Sequence, residues 1–575
     1  MSFDTLIMSA ITQELRDQLT GAPVQRVYEP GRGELIIHLY RPGSQAGLLL
    51  SVDPAYARVH LTEKRFQSMD LPSPFCMLLR KYLVGGRAVS FSNPPLERIL
   101  EIDFEPPEGL EPVKLVAEIM SRRSNLILVD SRGRILGAVK TASREKNPKR
   151  VILPGEPYAA PPAQPKLNPL EMEPAQFSGA IRELLAGGAD PDEALLSTVG
   201  GLSPLMVKEL LYRAGWDNTA PAASVERLFD ETKKLFQAAA CGRLQPVMVP
   251  DMNIYAAVPL THLNTEKQVR WDSAGKMLDQ FYSDMIRANR DRELKNQLSR
   301  AVEKRLAALR KKWNQQKKEL ESAENASRHR LFGELLLAYG DRVPKGAESA
   351  ALPDLYNPGE NVIVPLNPAK SASANARHHF NRYKKAKSGQ DKIKKQLRKT
   401  RAEIDYGKQL LYTIENSSGA SLEEIRQELV DAGYIREKKK PGGKKDAAPR
   451  PLEFKTTSGR TVLVGRNNRQ NDYITFRAAV RRDTWFHVKN LPGGHVVLKE
   501  APYPPPPGDI EEAAFLAAYY SKGRDSSAVA VDYTEIRHVR RRPGGKPGFV
   551  FYENYETITV NPQDERLREL FGLPL

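Results

Sequence analysis

The residues best suited to chemistry form polar runs between apolar ones. In VGRNNRQNDYITF, Arg466-Asn467-Asn468-Arg469-Gln470-Asn471-Asp472 separates Leu463 and Val464 from Tyr473, Ile474 and Phe476, which read as two strands joined by a turn. Amides read base edges and guanidinium groups bind phosphate, so this density points to RNA. The competing reading is a turn whose Asn and Asp side chains bond their own backbone. Trp485, His487, His495, Lys522, Arg524 and Asp525 lie in the same C-terminal stretch, and Trp or His can stack on unpaired bases. In EIMSRRSNLILVD, Arg122, Arg123, Ser124 and Asn125 form a turn between apolar strands, and paired arginines there suit phosphate. Glu97-Arg98 in PPLERILEIDF is a charged pair ahead of a strand; as a mere exposed ion pair it is worth about 0–1 kcal/mol. VGGLSP, with Gly200, Gly201 and Ser203, reads either as a helix-hairpin-helix turn offering N–H groups to phosphate or as a plain helical hairpin.

Sets for covalent or metal chemistry are missing. There is no G-x-x-x-x-G-K-[ST], no G-x-G-x-x-G after a strand, no G-x-S-x-G and no H-E-x-x-H. None of the nine histidines has metal-ligand spacing, and His378-His379 falls on a basic helix where solvent exposure is expected. The two cysteines, Cys76 and Cys241, form no C-x-x-C, which excludes a zinc ribbon and predicts a reducing compartment. No metal and no cofactor are expected. A net charge of +17 and a pI near 9.5 point to a polyanionic partner, nucleic acid first. The opening MSFDTLIMSAITQELRDQL lacks the apolar core of a signal peptide, and no apolar run approaches 18 residues, so the expectation is a cytoplasmic protein without membrane contact.

The elements that must position these residues predict an α+β multidomain chain; 575 residues suggest three or four units. A helix carrying Leu6, Ile7, Ala10, Ile11, Leu15 and Leu19 stops at Gly21. Alternating runs then follow, VQRVYE, ELIIHLY, GLLLSVD, ARVHLT, RAVSFS, RILEIDF, VKLVAEIM and NLILVD, with the helix PFCMLLRKYL among them, as in an antiparallel meander. This strand-rich domain spans 1–170, with 243–275 a candidate to complete it. Helices occupy 171–242. One long charged helix from Met277 to Tyr339 and a second from Ser373 to Asn416 predict an antiparallel coiled-coil arm within 276–435, with a small β insertion near 341–372. Ser421 and Glu424 form a capping-box pattern for a helix running to Tyr434. A basic linker at 436–451 precedes a C-terminal α+β domain at 452–575 with strands EFKTTSGRTVLVG, TWFHVKN, GGHVVLKE, GFVFYEN and ETITVNP and one helix, IEEAAFLAAYYSKGR.

Taken together, MSFDTLIMSAI, LERI, EIMSRRSNLIL, VILPGEPYAAPPAQPKLNP, VPLTHLNTEK, GELLLAYG, NARHHFNRYKKAK, VGRNNRQNDYITFRAA, WFHVKNLPGGHVVL, AAYYSKGRDSSAVAVDYT and KPGFVFYENYETITV resemble the NFACT family from end to end. The resemblance implies an NFACT-N domain, glycosylase-like in fold, a helix-hairpin-helix domain, a coiled-coil arm and an NFACT-R domain that binds RNA. It implies binding to a 50S ribosomal subunit blocked by peptidyl-tRNA, recruitment of alanine tRNA and untemplated C-terminal alanine tailing of the stalled chain. Peptidyl transfer would belong to the ribosome, so no enzyme is expected. Implied partners are 23S rRNA, a stalk-base ribosomal protein reached by the arm, and a small RNA-binding cofactor protein. The family's Asp-Arg signature for tRNA falls on Glu97-Arg98, where Glu replaces Asp and its extra methylene shifts the carboxylate by about 1.5 Å. Asp4 matches an acidic position, and Arg122 with Ser124-Asn125 matches an Arg-x-Ser-Asn turn in which Arg123 stands where His or Tyr is common. Two other readings are weaker. A formamidopyrimidine-type DNA glycosylase would need Pro-Glu after Met1 and four zinc-binding cysteines; a fibronectin-binding adhesin would need an export signal.

Overall fold

Asp4 caps the first helix, α1 (Thr5–Leu19), whose Leu6, Ile7, Ile11, Leu15 and Leu19 form one buried stripe. The computed structural model describes residues 3–41, 47–145, 150–162, 164–217, 219, 221–263, 265–324, 326–436, 449–542 and 546–573, so most of the expected basic linker, 437–448, lies outside the described residues. The chain divides into two units, Met1–Ile286 and Arg287–Leu575.

In the first unit, β1 (Val24–Gly31), β2 (Glu34–Leu39), β3 (Gly47–Ser51) and β4 (Arg58–Thr62) form an antiparallel sheet in sequence order. After α2 (Pro74–Leu83), β5 (Arg87–Ser92), β6 (Ile99–Glu105), β7 (Val113–Glu118), β8 (Asn125–Asp130) and β9 (Ile135–Ala138) form a second meander. Alternation decides the faces: Leu35, Ile37, Leu48 and Leu50 turn to the main core, while Ile36 and Leu49 turn away from it. Helices α3 (Pro174–Ala186), α4 (Pro191–Thr198), α5 (Pro204–Arg213) and α6 (Pro221–Ala240) follow, then a small sheet of β10 (Val247–Val249), β11 (Ile254–Ala256) and β12 (Val269–Arg270). Phe177, Leu195, Leu210 and Phe236 from the helices join the same apolar core as α1 and the sheets.

The boundary between the units falls within α7 (Ala274–Glu324). The helix expected from Met277 to Tyr339 is instead two: α8 (Ser327–Ala338) starts anew and lies close to a later helix, where Gly333 leaves room for Phe380. A hairpin of β13 (Ser349–Pro353) and β14 (Asn361–Pro365) leads into α9 (Ala372–Glu415). In the second unit α7 and α9 run antiparallel, marked by Lys295 to the Glu415 carbonyl at 2.7 Å, Arg305 to Glu403 at 3.5 Å and Thr400 to Gln316 at 2.9 Å. Their seam of Leu298, Val302, Leu306, Ile404, Leu410 and Ile414 is closed by Leu422, Ile425 and Leu429 of α10 (Ala420–Asp431).

The C-terminal domain holds β15 (Leu452–Lys455), β16 (Thr461–Val464), α11 (Asn468–Tyr473), β17 (Thr484–Val488), β18 (Val496–Leu498), α12 (Pro507–Tyr519), β19 (Val529–Glu535), β20 (Val539–Arg541), β21 (Val550–Tyr552), β22 (Glu556–Val560) and α13 (Glu565–Leu570). The main sheet runs β15-β16-β18-β17-β19-β22; α12 covers one face, and Ile474, Trp485, Val497 and Val539 cluster on the other. Two expectations fail here. Residues 468–478 are helical rather than a turn and strand, and β19, paired with both β17 and β22, had not been read as a strand. Among the described residues no helix is long and apolar enough to cross a membrane.

Candidate nucleic-acid interface

In the first unit, the residues singled out from three separate segments converge. Asp4 Oδ1 accepts from the Ile7 N–H at 3.0 Å, and its Oδ2 accepts from the Ser203 hydroxyl at 2.9 Å. Burial raises the Asp4 pKa, against hydrogen bonds from Ile7 and Ser203 and the charge of Arg98. Ser203 also caps α5. The N-terminus of α5 is therefore occupied by its own cap and by the buried Asp4 carboxyl that accepts from that cap. Gly200 gives its N–H to the Leu167 carbonyl at 3.0 Å. A Cβ on Gly200 or Gly201 would press on Leu96, which sits at φ +63°, so both glycines admit a neighbouring loop. Of the two readings of Gly200, Gly201 and Ser203, this packing favours the plain helical hairpin, with Asp4 bonded to Ser203 at its end.

Leu96 leads directly into Glu97 and Arg98. The Arg98 carbonyl accepts from Ile119 N–H at 2.8 Å, and Ile99 pairs with Glu118, so residues 97–98 and 119–124 share one end of the second meander. Glu97 is half-buried; burial raises its pKa, Arg98 opposes this and Glu118 adds to it. Arg122 and Arg123 are exposed on a single 3-10 turn and make no ion pair among the described residues. Ser124 and Asn125 are buried and hold that turn. Ser124 Oγ accepts from Met120 N–H at 2.8 Å, while Asn125 bonds the Lys140 carbonyl and N–H, each at 2.8 Å. Lys140 Nζ in turn reaches the Arg122 carbonyl at 3.4 Å. The result is a cationic rim of Arg98, Arg122, Arg123 and Lys140, suited to a sugar-phosphate backbone.

The second unit overturns the reading of the amide run. Asn467 is the N-cap of α11, accepting from Gln470 N–H at 2.9 Å. Its amide donates to Glu424 at 2.7 Å, the Gln470 amide donates to the same oxygen at 2.8 Å, and the Asn468 amide donates to Glu428 at 2.8 Å. Asn471 accepts from His495 N–H at 3.0 Å. All four amides are buried and so cannot read bases; they dock the C-terminal domain on α10. Ser421 and Glu424 are accordingly not a capping box. Gly419 holds the N-cap position of α10, and both side chains bond Asn467. Asp472 is paired with Arg541 at 2.7 Å, while Arg466 and Arg469 are partly exposed.

Beyond α11, the rings converge. Trp485 is fully buried, stacks on His487 at 5.7 Å and meets His495 edge-on at 5.1 Å. Its indole N–H has no partner among the described residues. Burial lowers His487 to about 4 and His495 well below its ordinary value, so both are neutral at physiological pH. These three rings line a cleft of about 520 Å³ together with Lys408, Gln409 and Tyr552, which the sequence reading missed because they come from α9 and β21. Lys522 is exposed on the loop after α12, whose backbone bonds the Pro492 carbonyl at the edge of that cleft at 2.9 Å. Arg524 lies over Tyr519 at 4.2 Å, and Asp525 is exposed beside it. His379, expected in solvent, is buried between His329 at 2.9 Å and the Pro365 carbonyl at 3.0 Å.

With this geometry in view, comparison with known proteins is decisive. Residues 4–448 match the family model for NFACT N-terminal and middle domains, and residues 450–552 match the NFACT protein RNA binding domain. The chain belongs to the NFACT family. The Rqc2 homolog RqcH of Bacillus subtilis is 37% identical over 99% of this chain and 100% of its own length. The ribosome quality control complex subunit NEMF of Mus musculus is 23% identical over 58% of this chain and 33% of its own. A solved structure, the N-terminal part of the fibronectin/fibrinogen-binding protein of Streptococcus suis, is 29% identical, covers 49% of this chain and 100% of that one, and has a TM-score of 0.42. NEMF is by name a subunit of the ribosome quality control complex, and the model matched by the C-terminal residues is that of an RNA binding domain.

Proposed function

We propose that this NFACT chain binds 50S subunits still carrying peptidyl-tRNA, recruits alanine tRNA, and promotes untemplated alanine tailing that marks the stalled chain for degradation in the cytoplasm. The carrying observation is the cationic rim of Arg98, Arg122 and Arg123 at one sheet end, where Ser124 and Asn125 hold the arginine turn and the Asp4 carboxyl feels the charge of Arg98. Full-length likeness to RqcH supports the reading, as does a net charge of +17. In it, the chain positions tRNA and the ribosome performs peptidyl transfer. Arg98 binds the tRNA backbone, and Glu97 orients it. The antiparallel pair α7–α9 supplies the contact to 23S rRNA or a stalk-base protein, and a small RNA-binding cofactor protein would share the subunit.

The test is recovery of alanine tRNA and 50S subunits with the purified chain. Arg98→Ala is expected to lose the tRNA by roughly tenfold or more while retaining 50S, since a charge-assisted bond is worth about 1.5–3 kcal/mol. Unchanged tRNA recovery would refute the assignment of Arg98.

A further inference from the structure

A cleft of about 1020 Å³ lies in the first unit on the face of the β1–β4 sheet that turns away from the main core. Nothing in the tRNA assignment uses it. Tyr28, Ile36 and Leu49 form one cross-strand row there, joined by Phe66 as a small apolar cluster apart from the core. His38 stacks on Tyr28 at 5.4 Å, and Tyr40 stands 50% exposed at the end of the same strand. Gly47 pairs with His38; a Cβ there would meet Ile36 at 2.7 Å and the His38 ring at 3.4 Å, so glycine leaves the ring its place.

Around these rings the cleft carries Arg26, Arg41, Lys64, Arg65 and Arg80 against one acid, Glu63. Three of the cations are engaged: Lys64 with Asp279, Arg80 with the Val27 carbonyl, Arg41 with Gln18. Arg26 and Arg65 are exposed and make no ion pair among the described residues. Burial and Arg26 lower the His38 pKa, which keeps the ring neutral for stacking. A phosphate or acidic peptide alone would use the cations but has no need of four rings. An unpaired nucleic-acid strand uses both, bases on the aromatic faces and phosphates on the guanidinium groups.

We infer that the outward face of β1–β4 is a second RNA site, a platform for an unpaired RNA segment. His38, Tyr40 and Phe66 stack bases, and Arg26 and Arg65 hold the adjoining phosphates. The site rests on the RNA-directed function proposed above and adds to it a single-stranded ligand at a place separate from Arg98.

The test uses the full chain and a 4-thiouridine RNA of about 12 nucleotides, crosslinked by ultraviolet light and mapped by mass spectrometry, alongside 50S co-sedimentation. Crosslinks are expected in the peptides bearing Tyr40 or Phe66, and the same RNA paired in a duplex should compete poorly. Arg26→Glu with Arg65→Glu, or Tyr40→Ala alone, should weaken binding of the single strand roughly tenfold and abolish those crosslinks. All these side chains are at the surface, and an unchanged Tm confirms that the fold is kept. Crosslinks confined to other segments, or variants that retain them, would overturn the inference while 50S binding by the parent chain leaves the proposed function standing. Loss of 50S binding with unchanged crosslinking would assign the face to a protein and overturn the RNA reading. If the parent itself fails to bind 50S, the proposed function falls independently of where the crosslinks map.

Discussion

Glu428 is buried in the second unit, accepting from Tyr406 at 2.6 Å and Asn468 at 2.8 Å through one oxygen, while the other has no partner among the described residues. Burial raises its pKa from 4.5, against the hydrogen bonds of Tyr406 and Asn468 and the charge of Arg469. A raised carboxyl pKa means the folded chain keeps a proton that the unfolded chain has released, so this group costs stability as pH rises above 4.5. Glu428→Gln mimics the protonated form; its urea midpoint should gain on the parent between about pH 5 and pH 8. An equal difference at both pH values would contradict the raised pKa. Asn468→Ala removes a donor from a buried carboxylate and should cost about 1–3 kcal/mol in the same assay. The residue types in RNNRQND were legible as unusual, but their direction was not. Their partners Glu424 and Glu428 lie 40 or more residues upstream on α10, and only the tertiary structure shows that carboxylates, not bases, face the amides.

At the level of elements, periodicity revealed most helices and the strands of the first domain, because burial of one face imposes a period of 3.6 or 2, but it read as one meander what are two sheets. It misplaced residues 468–478, where Tyr473, Ile474 and Phe476 mimic a strand yet Asn467 nucleates a short helix. It left the VGGLSP turn open between a phosphate cradle and a plain helical hairpin, because the residues that pack on its glycines come from distant segments. Gly201 sits at φ +79°, and a Cβ would lie 2.9 Å from Thr5 Oγ1. Gly201→Ala is therefore expected to lower stability by about 1–3 kcal/mol, read by thermal unfolding, by forcing apart α1, α5 and the Leu96 loop. A silent substitution would mean that this turn is not clamped. Because Arg98 follows that loop, tRNA recovery should fall with it.

For the whole molecule, 87 Lys and Arg against 70 Asp and Glu point to a polyanionic partner, nucleic acid first, and the match to an RNA binding domain model agrees with that. Binding to 50S should weaken linearly with the logarithm of salt as counterions are released; a flat response would indicate a protein-only interface. Replacing residues 317–395 by a short Gly-Ser turn keeps the Thr400–Gln316 and Arg305–Glu403 contacts and the α10 seam. That deletion is expected to lose 50S co-sedimentation and keep alanine tRNA. Subunit binding at the parental level would remove the helix pair from the interface. The central claim is tested most directly by sequencing the RNA that co-purifies with the full chain. Enrichment of alanine tRNA together with 23S rRNA is predicted; a tRNA population matching that of the cell, with no large-subunit RNA, would contradict it.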